Sequence, residues 1–395
     1  MLLSIKTKLD LTNEQTVLMS KHAGIARFTY NWGLATWQAL YKDGFKPNHR
    51  ILRTFFNNEV LPALPWIKEK GICQKITQYA FEHLGTAFKN FFTSRAKYPN
   101  FKKKNQHDSF TIDASGKPVS VGGTRIKLPT IGWVRTFEAL PHTTTKTFTI
   151  SRSPNGWYIS FAYSQEKPQV ESNRKQLTGV DLGITALATL ADGKTFANPK
   201  SYRKALKQLS RLQRQLQHKV KGSKRRIKAK TRLAKFHQRI TNIKFDTIHK
   251  MTHYICKNHA VIGLEDLNVS GMVKNSRLSQ AISDAAFGEI LTQLEYKSEK
   301  FDCFVHKVDR FYPSTKTCNH CKHIQPMPLS KRTFECEVCG KTCSRDENAA
   351  LNLALQALNE YNRRAYPVLV AEGSSAPSYP VEAITKPRCH KMSGN

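Results

Sequence analysis

The sequence predicts an α+β protein of more than one domain, and three observations predict it. The first hundred residues carry apolar and aromatic side chains at helical spacing, and a stretch from about 109 to 164 switches to a period of two. The second half alternates short strand-like apolar runs with long helical segments and is interrupted by a cysteine-bearing insert. At 395 residues the chain has room for two or three domains and at least one sizeable core. An apolar share of 39% excludes a disordered chain, and 17 Pro with 20 Gly are too few for a collagen-like one. Lys and Arg outnumber Asp and Glu by 63 to 29, a net charge of +34. So much like charge repels itself unless a polyanion neutralises it, which points first to nucleic acid and second to an anionic membrane surface. No run approaches the roughly 18 apolar residues of a spanning helix, and Met1 to Lys8 meets charge too early for a signal peptide. A cytoplasmic chain is therefore expected, and its nine cysteines need a role other than disulfides.

From Asn13 to Lys104 the pattern is helical. Phe28, Trp32, Leu34, Trp37 and Tyr41 recur at near-helical spacing and stop at Asp43-Gly44, a helix-ending pair. A second helix is expected from about Cys73 to Phe92. It leads through Phe88, Lys89, Phe91, Phe92, Arg95 and Lys97 into a Pro-broken basic linker with Lys102, Lys103 and Lys104. These aromatics suit a helix-bundle core, and their interleaving with bases also suits a stacking surface for nucleic acid. Next, Thr145–Arg152 and Trp157–Ser164 flank Ser153-Pro154-Asn155-Gly156, a β-hairpin signature, and Arg125–Leu128 and Trp133–Arg135 read as two more short strands. Gln165 to Gln176 is a polar linker.

Gly179–Ile184, Ala186–Leu190 and Thr195–Ala197 open a second strand meander. A helical hairpin follows, with Leu206, Leu209, Leu212 and Leu216 on one arm, Gly222-Ser223 at the bend, and Leu233, Phe236, Ile240 and Ile243 on the return. Between Lys200 and Arg239 lie 16 Lys and Arg, Arg225 and Arg226 among them, and no acid. Such a run often only solvates a helix face, but unopposed charges of this number become favourable when phosphates release counterions to them. His259–Glu265 is a buried strand ending in a carboxylate, Ser279–Phe301 a helix, and Arg345 opens the last helix. From about Pro367 the tail is turn-rich and expected to be flexible.

Two constellations carry chemistry. Cys318-x2-Cys321 and Cys336-x2-Cys339-Gly340, 14 residues apart, supply four thiolates for one tetrahedral Zn²⁺. Four Cys ligands leave no open position, so this zinc is structural. His320, His323 and Cys343 are nearby donors better read as surface. The pair His249 and His253 has metal-like i, i+4 spacing but lacks an acid between them. The second constellation is Asp181 on a strand, Glu265 at the end of another, and Asp346 at the start of the last helix. Singly each is a turn former, a surface acid or a helix N-terminal charge. Together, among apolar neighbours in a chain poor in acids, they suit two divalent cations of the kind that hydrolyse phosphodiesters, with Mg²⁺ favoured by oxygen ligands.

Gly179-Val180-Asp181-Leu182-Gly183-Ile184, Gly263-Leu264-Glu265-Asp266-Leu267, the paired cysteine knuckles and Arg345-Asp346-x-Asn348-Ala349-Ala350, in this order, resemble the RuvC motifs and zinc ribbon of the TnpB family. These are the transposon-encoded OrfB proteins, relatives of the type V CRISPR effectors. Lys89-Asn90-Phe91-Phe92, Arg125-Ile126-Lys127-Leu128-Pro129 and Ile282-Ser283-Asp284 also read like family landmarks, so the resemblance covers nearly the whole chain. It implies a β-barrel wedge domain (1–12 and 105–172) with an inserted helical recognition lobe (13–104). It then implies an RNase H-like (RuvC) α/β nuclease with a basic hairpin (173–310), a zinc-ribbon insert (311–343), the last RuvC helix (344–366) and a flexible tail (367–395).

The implied activity is RNA-guided DNA endonuclease. A guide RNA from the transposon end pairs with one strand of double-stranded target DNA beside a short motif, with one protein chain per guide, in a prokaryotic cytoplasm. Asp181, Glu265 and Asp346 would hold two Mg²⁺, and the four cysteines one Zn²⁺. Gln78 and Thr111 occupy plausible places for reading the target-adjacent motif, with Lys102, Lys103, Lys104, Arg225 and Arg226 as further nucleic-acid contacts. The chain departs from the family where Ser344 replaces a frequent acid and in carrying Cys343. Three other readings keep the same charge and motifs: a guided DNA-binding repressor without cleavage, a DNA transposase acting without RNA, and a zinc-ribbon structural protein of a ribonucleoprotein.

Overall fold

The computed structural model describes residues 1–113, 119–166, 175–328 and 330–365, and the tail beyond 365 lies outside them. The chain divides after Glu166 into two compact units.

The first unit opens with β1 (Leu2–Asp10), followed by α1 (Asn13–Lys42), α2 (His49–Phe55), two short 3₁₀ turns and α3 (Lys75–Phe92). Five strands complete it: β2 (Ser109–Asp113), β3 (Val119–Leu128), β4 (Gly132–Thr145), β5 (Thr147–Ser153) and β6 (Gly156–Ser164). α1 begins at a capping box in which Thr12 Oγ1 accepts from the Gln15 amide and Gln15 Oε1 accepts from the Thr12 amide. It ends before Gly44, whose φ of +84° suits glycine alone. Trp37 stacks on Phe88 at 3.9 Å, and Trp32, Phe56 and Phe81 form an edge-to-face cluster, so most of these aromatics are core. Tyr41 and Phe92 stay exposed.

The strands form one sheet in the order β2-β5-β6-β1-β4-β3. β1 lies in its middle, paired with β6 over Leu2–Lys8 and with β4 at Leu9 and Asp10. The expected β-barrel wedge is seen as a half-barrel sheet, whose edge strands β2 and β3 do not pair among the described residues. The Ser153–Gly156 hairpin is where the sequence put it, whereas β3 and β4 run well beyond their expected cores.

The second unit holds β7 (Lys175–Leu182), β8 (Ala186–Leu190), β9 (Thr195–Ala197), α4 (Ser201–Gln217), α5 (Lys224–Asn258) and β10 (His259–Glu265). Then come α6 (Val269–Val273), α7 (Ser279–Ala285), α8 (Phe287–Phe301), β11 (Phe304–Val308), β12 (Thr333–Glu335), β13 (Thr342–Ser344) and α9 (Arg345–Ala365). The sheet order is β11-β10-β7-β8-β9, with β7, β10 and β11 parallel. Strand alternation sends Val180, Ile262 and Leu264 into a core shared with Ile248 and Ile255 of α5 and Ile290 and Leu294 of α8.

The opposite face of β7 and β10 carries α9 at very short range. Gly179 and Gly263 are register partners, and a Cβ at Gly179 would stand 1.8 Å from the Ala350 carbonyl oxygen. A Cβ at Gly263 would stand 2.1 Å from that of Leu353. Only glycine lets the helix backbone rest on the strands here, and α9 answers with buried Ala350, Ala354 and Ala357.

The helix expected over Ser279–Phe301 is broken. Ala286 adopts φ +54°, ending α7 and starting α8. Just before the break, the Asp284 carboxylate accepts from the Tyr202 and Arg203 amides and the Ser201 hydroxyl. It thereby caps α4, whose own preceding residue, Lys200, is left-handed and gives no side-chain cap.

Candidate active site and metal centre

The geometry of the acid cluster follows from this packing. Asp181 stands two residues beyond Gly179 and Glu265 two beyond Gly263. Alternation puts both carboxylates on the α9 face at the carboxyl ends of neighbouring parallel strands. α9 starts at that end and contributes Asp346 from its first turn. Burial, with the Asp346 and Glu265 charges beside it, pushes the Asp181 carboxyl up to about 7, against a smaller opposing pull from Arg345. Burial also raises Glu265, with Asp266 adding to it. Asp346 Oδ1 accepts from Nε and Nη2 of Arg345, both at 3.2 Å. Asp181 feels the charge of the other two carboxylates, and among the described residues only the four cysteines form a set with all ligand atoms within 4.8 Å. A cavity of about 310 Å³ adjoins Asp346, lined also by Thr189, Thr195, Arg332, Ser344 and Glu347.

In the ribbon, the four sulfurs of Cys318, Cys321, Cys336 and Cys339 lie within 4.8 Å of one another. Cys318 to Cys339 is 3.7 Å and Cys321 to Cys336 is 3.5 Å. A tetrahedral zinc with Zn–S near 2.3 Å spaces its sulfurs by about 3.8 Å, so the set fits that ion. Hydrogen bonds from the Cys339 and Val338 backbone lower the Cys336 thiol to about 6, a thiolate ready for metal. Cys343 pairs with Phe334 across β12–β13 and packs on the small ribbon core; His320 and His323 are outside the four-sulfur set. His249 and His253 also lie outside any such set: the His249 carbonyl accepts from buried Lys297, and His253 sits edge-on against Phe301.

The candidate nucleic-acid contacts are placed unevenly. Thr111 is buried, its hydroxyl 3.0 Å from both His83 Nε2 and Thr149 Oγ1, and Gln78 donates to Glu82 on its own helix. Lys102 is half-buried with its ammonium 4.0 Å from the Tyr30 ring, while Lys103 and Lys104 are exposed. Arg225 is exposed, but Arg226 Nη1 donates to the Leu216 and Lys219 carbonyls and so closes the basic hairpin. No helix among the described residues is long and apolar enough to cross a membrane.

Three family models match this chain: OrfB_IS605, described as "Probable transposase", over residues 160–276; "Cas12f1-like, TNB domain" over 287–353; and HTH_OrfB_IS605, "Helix-turn-helix domain", over 1–46. The first span holds Asp181, Glu265 and the basic hairpin, the second the four cysteines and Asp346. An Escherichia coli (strain K12) protein named "Putative RNA-guided DNA endonuclease InsQ" is 34% identical over 369 residues, covering 89% of this chain and 91% of its own. The chain belongs to the TnpB (OrfB) family. A Streptomyces pristinaespiralis protein named "Putative RNA-guided DNA endonuclease" is 32% identical, with 88% of this chain and 87% of its own covered. Among solved structures, the protein in "Cryo-EM structure of the Cas12f1-sgRNA-target DNA complex" shares the fold at TM-score 0.55 and 13% identity, over 87% of this chain and 83% of that one. In this TnpB-family chain the residues matched to a helix-turn-helix form one strand and one 30-residue helix, β1 and α1.

In the sequence Gly179, Gly263, Asp284, Arg345 and Asn348 stand out only as parts of motifs. Their physical roles needed the tertiary structure, although two asparagines four apart on an otherwise Ala- and Leu-rich helix were a visible signal.

Proposed function

We propose that this chain is an RNA-guided DNA endonuclease whose acid cluster, Asp181, Glu265 and Asp346, cleaves DNA strands selected by a guide RNA derived from the transposon end. The observation that carries it is the convergence of three carboxylates at one sheet end in a chain of net charge +34, with Asp181 raised to about 7. The names borne by relatives similar along nearly their whole length support the same reading. Hard oxygen donors and excess negative charge fit Mg²⁺. Two such ions, when bound, supply Lewis acidity and charge neutralisation for phosphodiester hydrolysis.

The chain's own residues do the rest. Asp181 and Glu265 present their carboxylates from rigid parallel strands, and Asp346 closes the third side from a helix whose backbone rests on those strands. Asp181 must give up its proton before it can act as a ligand. Arg345 holds Asp346 in place. Zinc at Cys318, Cys321, Cys336 and Cys339 would fold the ribbon beside the cluster. Exposed bases such as Arg225, Lys103 and Lys104 would follow the phosphates of guide or target, while base pairing reads the sequence. The layout of wedge, recognition lobe, RuvC nuclease and ribbon, with one chain per guide, belongs to this same reading.

The test is to purify the protein from cells carrying the DNA that flanks its gene and to sequence the co-purified nucleic acid. The complex is then offered a plasmid library with randomised flanks in Mg²⁺. Cleaved targets complementary to a bound RNA carry the reading, and the flanks give the adjacent motif. Bound RNA with guided binding but no cleavage replaces it by a repressor; cleavage that survives without RNA replaces it by a transposase. Asp181→Ala is expected to abolish cleavage and leave guided binding intact.

A further inference from the structure

The first turns of α9 carry two asparagines, Asn348 and Asn352, both fully buried on a helix otherwise lined with Ala and Leu. A buried amide is costly unless its hydrogen bonds are made; Asn352 Oδ1 has no partner among the described residues, and the bonds the two side chains do make go to one place. Asn348 Nδ2 donates to the Thr317 carbonyl at 2.7 Å, and Asn348 Oδ1 accepts from the Asn319 amide at 3.0 Å. One side chain therefore grips the backbone immediately before and immediately after Cys318. One turn along, Asn352 Nδ2 donates to the Thr317 carbonyl at 2.6 Å and to the Ser314 carbonyl at 2.9 Å.

On the other side of the same helix start, the Arg345 amide donates to the Arg332 carbonyl and Arg345 Nη1 to that of Lys331, while the same guanidinium holds Asp346. Among the described residues, the ribbon's own apolar core is small: Cys318, Phe334 and Cys336, with Met327 and Cys343 packed against it. Apolar contact that slight can slide, so directional hydrogen bonds set how the ribbon meets α9. Asp346 lies between the two sets of bonds.

We propose that Asn348, seconded by Asn352, is a positioning residue: it clamps the first cysteine knuckle to the start of α9, so that the ribbon's metal-folded state sets where Asp346 stands in the acid cluster. This rests on the endonuclease reading for what Asp346 does, and on the hydrogen bonds alone for the clamp. A group that orients a metal ligand tunes metal affinity more than it tunes nucleic-acid binding.

The test uses the full guide-bound complex, with Asn348→Ala beside the parent. Three quantities are read: the Mg²⁺ concentration giving half-maximal cleavage, guided target binding without added Mg²⁺ and with the ribbon's zinc retained, and hydrogen exchange over residues 345–352 before and after zinc chelation. Asn348→Ala is expected to raise half-saturating Mg²⁺ about tenfold, to keep binding within about twofold, and to raise exchange in 345–352 to the level the parent reaches only after chelation. Chelating the variant should add nothing further.

An unchanged Mg²⁺ requirement, with binding and cleavage falling together, would make Asn348 a purely structural residue and overturn the proposal; so would exchange in 345–352 that ignores chelation in the parent. If Asn348→Ala does not fold, Asn352→Ala, which leaves one bond to Thr317, is read by the same criteria with a smaller shift in the same direction. If the parent itself does not cleave, the endonuclease reading fails while the exchange measurements still decide the clamp.

Discussion

The second unit contains two constellations of metal-binding side chains, and they are built differently. Four thiols on two short knuckles approach within 4.8 Å of one another, near the spacing a tetrahedral ion imposes. Three carboxylates on β7, β10 and α9 form no such set among the described residues, one of them raised to about 7 and another held by Arg345. Thiols can share hydrogen bonds and pack into a core of their own, whereas carboxylates repel and stay ionised only if cations or guanidinium groups compensate them. A site that serves the fold can afford to be closed. A site that serves chemistry has to keep its charges unsatisfied, and the surrounding sheet must hold them there.

The largest effect expected from breaking this contrast is at Asp181. Asp181→Asn should lower guided cleavage by about 10³-fold or more and also stabilise the metal-free protein at pH 8. The sign follows from the raised carboxyl: it is ordinarily 3.8 and about 7 in the fold, so the folded state prefers the proton. Stability contributed below 3.8 is then lost as pH rises toward 7. Asparagine has no such loss, and thermal melts at pH 5 and pH 8 in EDTA check it. No gain at pH 8 would mean that Asp181 is not strained by its neighbours.

Gly179→Ala and Gly263→Ala are next, because the added carbon meets helix backbone that cannot move without lifting α9. Each should cost about 3 kcal/mol, at the upper end of overpacking effects, and reduce cleavage even in the fraction that folds, read by denaturant melts and specific activity. Cys336→Ser follows. It should lose the ribbon's zinc, measured by metal analysis, and lower the melting temperature by several degrees. Unchanged melting together with no zinc loss would sink the structural-metal assignment.

A smaller effect is the pH dependence at limiting Mg²⁺. Cleavage should rise through about pH 7 as Asp181 deprotonates, and the midpoint should move down at saturating Mg²⁺, where cation competes with proton. Smallest is Asp284→Asn, which weakens the cap on α4 by about 1 kcal/mol and leaves both metal constellations alone. It is the control that separates loss of fold from loss of site.

Much of this contrast was legible beforehand for a local reason. Cysteine knuckles need two ligands three residues apart, so the ribbon is written in adjacent letters. The hairpin at Pro154-Asn155, the meander after Gly179 and the α1 stop at Gly44 are equally local, each set by turn chemistry within four residues. β11 is not legible in the sequence because Phe304–Val308 mixes apolar and charged residues, and its place in the sheet comes from pairing with β10. The break at Ala286 was invisible because alanine favours helix everywhere except where tertiary packing drives it left-handed.

The sequence by itself determined the residue types, the order of the motifs, the basic charge and the cysteine spacing, and with them the family. Tertiary structure alone decided what those residues touch. Arg226 turned inward to close a hairpin, Thr111 was buried in a hydrogen-bonded row, and Asp284 became the cap of a helix some eighty residues upstream. The glycines of two strand motifs proved to be the seat of a third element, and Asn348 the grip on a fourth. The physical reason is range. Spacing and propensity act within a turn or two of chain, while burial, charge coupling and directional hydrogen bonds act between residues that only folding makes neighbours.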